Sequence, residues 1–255
     1  NQTVTAATAD NDSAGFTVTQ SGGTTAVSES GSTDTFTVVL TAEPASNVVI
    51  SVTSADTAEA TVSASSLTFT TGNWDSAQTI TVTGVNDDII DGSQDTTITM
   101  AVVDGSSDNN FDPLANQTVT AATADNDSAG FTVTQSGGST AVSESGSTDT
   151  FTVVLTAEPA SNVVISVTSG DTGEATVSAS SLTFTDSNWD SAQTITVTGV
   201  NDDIIDGSQD TTITMAVVDG SSDNNFDPLA NQTVTAATAD NDSAGFTVTE
   251  SGGST

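Results

Sequence analysis

The run Asp-Asn-Asp occurs three times in this chain, as Asp10-Asn11-Asp12, Asp125-Asn126-Asp127 and Asp240-Asn241-Asp242. Each copy is followed by Ser-Ala-Gly and then by an alternating apolar run. Two carboxylates flanking an amide offer hard oxygen donors close together, which is the chemistry of a divalent-cation clamp. The rest of the composition sharpens that reading. The 255 residues include 34 acids and no lysine, arginine or histidine, for a formal charge of −34. No side-chain salt bridge can form, so the countercharge must come from ions in solution. Nucleic-acid binding needs cationic contacts to phosphate and is excluded on the same ground. Anionic membrane surfaces are disfavoured for that reason too.

The inventory also restricts catalysis. With no His, Cys, Lys, Arg or Tyr, a Ser-His-Asp triad, a thiol nucleophile and a cationic phosphate clamp are all unavailable. A carboxylate-pair mechanism such as glycoside hydrolysis survives, but it needs one acid of raised pKa in a cleft. A cluster of acids neutralised by a cation is the wrong setting, and the chain is expected not to be an enzyme. The absence of cysteine removes disulfides as a staple, and a bound metal is the usual substitute in small extracellular domains.

The elements that would position these acids repeat as a block. Residues 1–115 and 116–230 differ only at Thr24/Ser139, Ala55/Gly170, Ala58/Gly173, Thr71/Asp186 and Gly72/Ser187, and a third copy begins at Asn231. The period is that of a whole domain rather than of a solenoid repeat. High charge with few aromatics can signal disorder, but the apolar residues fall into short alternations rich in Val, Ile, Phe, Leu and Thr, which read as strands. Seven runs are expected per unit. Gly15–Gln20 with Thr24–Val27 reads as strand A, interrupted at Ser21-Gly22-Gly23. Thr35–Thr41 is B and Asn47–Thr53 is C. Ala60–Ser63 with Leu67–Thr70 forms a broken D, followed by E (Thr79–Val85), F (Thr96–Val103) and G (Gln117–Thr123). Trp74, Phe69 and Phe111 are assigned to the core. Seven short strands in a unit of this length imply an all-β fold of tandem immunoglobulin-like β-sandwiches. The expected frame is a repeat at 13–127 and another at 128–242. Residues 1–12 then supply the last strand of a preceding repeat, and 243–255 the first strand of a following one. The lack of an initiator Met, signal peptide or targeting tail suggests a window from a longer polypeptide.

Loops in an antiparallel sandwich alternate between its two ends. One end should therefore gather Glu29, Asp34, Asp56, Glu59, Asp87, Asp88, Asp91, Asp95, Asp125 and Asp127. The other holds Glu43, Asp75, Asp104, Asp108 and Asp112. Ten carboxylates within about 15 Å repel by several kcal/mol in total, a large fraction of the roughly 5–15 kcal/mol that holds a domain together. Bound Ca²⁺, which takes carboxylate and carbonyl oxygens, would relieve that repulsion. A solvated acidic surface, as in salt-adapted proteins, is the alternative.

Three segments resemble the Calx-beta family, and more closely the Calx-beta-like tandem repeats of giant bacterial surface adhesins. Val27-Ser28-Glu29-Ser30-Gly31 is similar to the family's early Val-x-Glu-x-Gly element. Val85-Asn86-Asp87-Asp88-Ile89-Ile90-Asp91 resembles its acidic E–F loop, and Asp125-Asn126-Asp127-Ser128-Ala129-Gly130 its terminal acidic triplet. The resemblance covers both units and implies several Ca²⁺ ions at each joint. Their ligands would be Glu29, Asp56, Asp87, Asp88, Asp91, Asp125 and Asp127, and in the second unit Glu144, Asp171, Asp202, Asp203, Asp206, Asp240 and Asp242. Asp10 and Asp12 occupy the same triplet in the first copy. Asn126 stands where the family commonly has an acid, and Gly92, Ser93 and Gln94 replace further acids, implying fewer ions or weaker binding. Two other calcium patterns fail: the EF-hand-like start at Asp10 breaks at Ala14 and Ser21, and the glycine-rich nonapeptide repeat is missing.

These readings lead to an extended rod: a structural extender segment of a secreted, cell-surface adhesin, stiffened by Ca²⁺, with neighbouring identical repeats as its partners. Two alternatives stand beside it. One is an extracellular filament built by strand complementation between copies of the chain; the other is a ligand-binding adhesion module. No run approaches the roughly 18 apolar residues of a membrane helix.

Overall fold

The computed structural model describes residues 2–7, 9, 11–249 and 252. The chain forms two compact units, one comprising residues 1–87 and 91–126 and the other residues 88–90 and 127–255. No helix among the described residues is long and apolar enough to cross a membrane.

In the first unit the strands are β1 (Phe16–Gln20), β2 (Thr25–Ser28), β3 (Thr33–Leu40), β4 (Val48–Ser54), β5 (Ala60–Val62), β6 (Ser66–Phe69), β7 (Gln78–Gly84), β8 (Gln94–Val102) and β9 (Gln117–Ala124). They build a four-stranded sheet, β1-β3-β7-β5, and a five-stranded sheet, β2-β9-β8-β4-β6. Period-two patterning explains why: Phe36, Val38 and Leu40 of β3 and Val48, Ile50 and Val52 of β4 point inward and are buried, while the intervening residues face outward. Phe36, Phe69, Phe111, Ile50, Ile80, Ile98 and Met100 fill the space between the sheets. Each such side chain contributes roughly 1.5–3 kcal/mol by leaving water. Trp74 is half-buried and packs on the same core.

The second unit repeats the plan. Its strands are β10 (Phe131–Gln135), β11 (Thr140–Ser143), β12 (Thr148–Leu155), β13 (Val163–Ser169), β14 (Ala175–Val177), β15 (Ser181–Phe184), β16 (Gln193–Gly199), β17 (Gln209–Val217) and β18 (Gln232–Ala239). The sheets are β10-β12-β16-β14 and β11-β18-β17-β13-β15.

The immunoglobulin-like sandwich expected from the sequence is present, with one refinement. Strands A and D do not each belong to one sheet. The first half of A, β1, pairs antiparallel with β3, whereas the second half, β2, pairs parallel with β9. Gly22 and Gly23 stand between them at φ 65° and 88°, a backbone conformation that glycine adopts without a Cβ clash, and this turn carries the chain from one sheet to the other. The halves of D separate in the same way, β5 joining β7 and β6 joining β4. Seven runs in sequence therefore become nine strands per unit.

Residues 2–12 and 243–249, read from sequence as strands, form none among the described residues. Phe246-Thr247-Val248-Thr249 repeats the start of β10, but β10 exists through its ladder with β12. An extended segment without a neighbouring strand has no ladder to join.

Candidate metal centre

In each unit β2, β4 and β9, or their counterparts, end on the same side of the sandwich, because β2 runs parallel to β9 while β8 is antiparallel to both β9 and β4; β7 of the other sheet ends there too, since its last residue, Gly84, lies against Ser28 at the end of β2. The acids follow these strand ends. Close backbone packing fixes the first of them. Gly199, the last residue of β16, lies so near β11 that a Cβ there would sit 2.2 Å from the Ser143 carbonyl oxygen, and Gly84 stands in the same relation to Ser28. Only glycine allows that approach, and the next residue along, Glu144 or Glu29, is held inward by it. The amide of Glu144 continues the parallel ladder, donating to the Ala239 carbonyl at 3.2 Å.

The second unit shows the arrangement in full. Carboxylate oxygens of Glu144, Asp202 and Asp242 lie within 4.8 Å of one another, and so do those of Glu174, Asp202 and Asp206. Asp202 belongs to both triads, so the geometry is that of two adjacent cation positions sharing one ligand. Glu144 is only 2% exposed, and its Oε2 accepts the Asn241 N–H at 3.0 Å. Asn241 also donates through Nδ2 to Asn201 at 3.1 Å, tying the segment after β18 to the β16–β17 loop. Asp202 Oδ1 accepts the Ile204 N–H at 2.7 Å.

Like charges strain this cluster. Burial first, then the carboxylates of Asp206, Asp202, Asp171 and Glu144, push the Glu174 carboxyl above its ordinary range. Asp242 is raised by burial and then by Asp203, Asp240, Asp202 and Asp206. In the first unit Glu59 is raised by burial and by Asp91, Asp87, Asp56 and Glu29 in that order. No cationic side chain exists to compensate.

The expected ligands sort into different roles. Glu144, Asp202, Asp206 and Asp242 are brought together. Asp203 stands nearby and acts on Asp242 through its charge. Asp171 is exposed; its Oδ1 accepts the Gly173 N–H at 2.8 Å, and it contributes to the repulsion on Glu174. Asp240 braces the site instead of lining it: its oxygens accept N–H groups from Gly207 at 2.8 Å and Asp242 at 2.6 Å, and the Asp242 amide is the main cause of its lowered pKa.

In the first unit Glu29 is equally buried and accepts both the backbone and side-chain N–H of Asn126, at 3.0 and 3.1 Å. Asp125 takes the Gly92 N–H at 2.8 Å, as Asp240 takes Gly207. Asp56, Asp87 and Asp91 surround Glu59 closely enough to raise it. Asp88 and Asp127 are counted with the second unit. Asp12 is exposed and lies beside Ala14, Glu43 and Asn110, away from the Glu29 end. Asp10 lies outside the described residues.

Glu59, expected at the acid-rich end but not among the ligands, and its repeat counterpart Glu174 join the cluster. Their signal is the spacing Asp56-x-x-Glu59 in one short loop. The Ala60 N–H returns to the Asp56 carbonyl at 3.2 Å, closing a turn that brings Glu59 beside the buried start of β5.

Acids elsewhere hold the backbone. Asp34 accepts from Ser21 Oγ at 2.5 Å and from the amides of Ala26 and Thr35 at 3.0 and 2.7 Å, with Ser21 the main cause of its lowered pKa. Asp108, at the opposite end, pins the loop after β3 through the Ala45 and Ser46 amides at 2.6 and 3.0 Å, and the Asn110 amide is the main cause of its lowered pKa.

The acid-rich end suits a divalent cation on two observations. Asp242 Oδ2 and Glu59 Oε2 are buried without a hydrogen-bond donor, a costly state for a carboxylate oxygen unless a cation faces it. Oxygens that share a Ca²⁺ at roughly 2.3–2.6 Å stand at most about 5 Å apart, which the triads satisfy.

Known protein families and curated proteins give no match to the chain. Among solved structures, CBD12 from CALX1.2 is 13% identical, covering 86% of this chain and 99% of its own, at a TM-score of 0.34. Domains 4 and 5 of the S-layer protein SbsC are 15% identical, covering 89% and 100%, at 0.33. The calcium binding domain CBD12 of CALX1.1 is 15% identical, covering 79% and 80%, at 0.30. The fold assignment accordingly rests on the strand order and register of the chain itself.

Proposed function

We propose that the chain is a structural extender segment of an extracellular surface protein or adhesin, made of repeats whose acid-rich ends bind Ca²⁺. The observation that carries this reading is the meeting of Glu144, Asp202 and Asp242, with one Asp242 oxygen buried and lacking a donor. Glu144, Asp202 and Asp242 would hold one ion, and Glu174 with Asp202 and Asp206 a second. Carbonyl groups and water would complete the six to eight oxygens that Ca²⁺ takes. The same acids recur in the first unit, so the proposal covers both. A structural role is supported by near-identical repeats and by the lack of His, Cys, Lys, Arg and Tyr, which leaves only hydroxyl and carboxylate side chains for acid–base or nucleophilic chemistry.

Equilibrium dialysis of the metal-free chain against Ca²⁺ tests the reading. Saturable binding at roughly 10⁻⁴–10⁻³ M or tighter is expected, with the second unit's share weakened tenfold or more by Glu144→Gln, and weaker binding of Mg²⁺, which gives up its water reluctantly. Non-saturating uptake that Glu144→Gln leaves unchanged would identify a diffuse counterion atmosphere and sink the proposal.

A further inference from the structure

The β7–β8 loop and its β16–β17 counterpart carry the same tip, Asp88-Ile89-Ile90-Asp91 and Asp203-Ile204-Ile205-Asp206, in different surroundings. Residues 88–90 form part of the second compact unit. Within it the Asp88 carbonyl accepts the Glu158 N–H at 2.7 Å, Ile89 makes a parallel bridge to Glu158, and the Ile90 carbonyl accepts Asn225 Nδ2 at 3.2 Å. The Ile90 side chain packs on the core that includes Phe131 and Phe226. Ile204 and Ile205, in contrast, are 60% and 56% exposed. Two adjacent large apolar side chains at the tip of an acidic loop are a conspicuous cost on an otherwise polar surface.

The surface that receives residues 88–90 also exists twice. Ala129, Ala157, Glu158, Asn225 and Phe226 correspond in the repeat to Ala14, Ala42, Glu43, Asn110 and Phe111. In the first unit those residues, with Asp12, line an open cleft of about 260 Å³. The burial of the two sets differs as a filled and an open receptor should differ. Ala157 is buried where Ala42 is half-buried, and Glu158 is half-buried where Glu43 is exposed.

We propose that the Asp203–Ile205 tip of one chain docks into the Ala14–Ala42–Glu43–Asn110–Phe111 cleft of a second copy of this chain, head to tail. The contact would repeat the one residues 88–90 make: a carbonyl of the tip on the Glu43 amide, Asn110 on the next carbonyl but one, and an isoleucine against Phe111. The surfaces joined are different on the two copies, so the association is heterologous and open-ended. It rests on the structural role proposed for the repeats, but not on calcium binding. The interface is small, which places it among weak, reversible contacts. Net charge opposes it, so it strengthens as salt screens the repulsion.

Sedimentation equilibrium of the whole chain at about 0.15 M salt, from about 10 µM to about 1 mM, is the test. The mass is expected to rise above 25.3 kDa with concentration. Ile204→Asp with Ile205→Asp should hold it at the single-chain value, and so should Ala42→Trp, which fills the cleft. Asn110→Ala, which leaves the backbone untouched, should weaken association several-fold. Mixing the Ile204/Ile205 variant with the Ala42→Trp variant should restore a two-chain species, because one retains the cleft and the other the tip. A chain that stays single at the highest concentration, or association that none of these changes alters, would overturn the docking. Calcium dialysis of the same samples keeps the two ideas apart: a chain that binds Ca²⁺ yet never associates loses only the docking, and one that associates without binding Ca²⁺ loses only the metal site.

Discussion

The two units carry nearly the same residues and fold in the same register, yet their equivalent side chains do not all have the same burial. Ala42 and Ala157 sit at the same turn after the same strand, and only Ala157 is fully covered. Phe131 and Phe246 begin the same short run; Phe131 is 5% exposed and Phe246 is 91% exposed. The sequences around Ala42 and Ala157 are identical, and those around Phe131 and Phe246 differ only at Gln135/Glu250, so the differences come from what each segment finds beside it. The lesson is that a repeat's strands and acids are set by its own residues, whereas the fate of its rims is set by neighbours. The acid-rich end belongs to the first class. Glu29 and Glu144 are equally buried and accept the amides of Asn126 and Asn241 at the same 3.0 Å.

Removing what the two units share should affect both alike. Chelating Ca²⁺ should lower the melting temperature of the whole chain by roughly 10 °C, since occupancy far above Kd at even one site adds about 2–4 kcal/mol. Both units should lose stability together in calorimetry. A transition that moves for only one of them would show that the sites are not equivalent.

The next largest effect probes the packing that places the buried glutamate. Gly199→Ala and Gly84→Ala each force a Cβ to 2.2 Å from a carbonyl oxygen, and each should destabilise its own unit by about 1–3 kcal/mol in urea unfolding. Calcium affinity should fall with it, because Glu144 and Glu29 follow the displaced strands. Different costs at the two positions would break the equivalence.

A third test uses acid. Glu59, Glu174 and Asp242 have raised folded pKa values, so their contribution is favourable when they are protonated and is lost as pH rises through those values. Asp34, Asp108, Asp149 and Asp240 have lowered values, so their contribution is present above the ordinary 3.8 and is lost as pH falls through the folded values. The metal-free chain should therefore gain thermal stability as pH drops from neutral toward the glutamate reference of 4.5, and lose it below 3.8. With Ca²⁺ saturating at neutral pH, the first limb should reverse, because protons then compete with the ion. A metal-free profile that only falls on acidification would mean that the acid-rich end is not strained.

The smallest effect concerns residues the units do not share. Gly170 and Gly173 loosen the loop that carries Asp171 and Glu174, where the first unit has Ala55 and Ala58. Neither glycine adopts a positive φ, so Gly173→Ala should stabilise the second unit by about 0.4–1 kcal/mol through the unfolded chain. A loss of stability would show that the loop needs its freedom.

Much of this fold was legible because alternation marks strands and their inner faces: Phe36, Val38 and Leu40, or Val48, Ile50 and Val52, leave little choice. Alternation does not reveal which strand lies alongside, so the division of A and D between two sheets was not legible. The Ser21-Gly22-Gly23 interruption was visible as a break but not as a crossing. The strand-end parity of loops put Glu144, Asp202, Asp206 and Asp242 at one end, where their carboxylates meet. It could not separate Asp240, which spends its oxygens on backbone amides, from Asp242, which leaves one without a donor. That distinction depends on where Gly207 and Asp242 point their N–H groups, and it exists only after folding. Glu174 escaped for the converse reason, since a turn closed by one backbone hydrogen bond turns it toward Asp202.

Crystals grown in Ca²⁺ would show whether this end of each repeat is a cation site. Density for an ion is expected between Glu144, Asp202 and Asp242, with carboxylate oxygens at roughly 2.3–2.6 Å. Water in that position, with Ca²⁺ bound only elsewhere on the acidic surface, would contradict it.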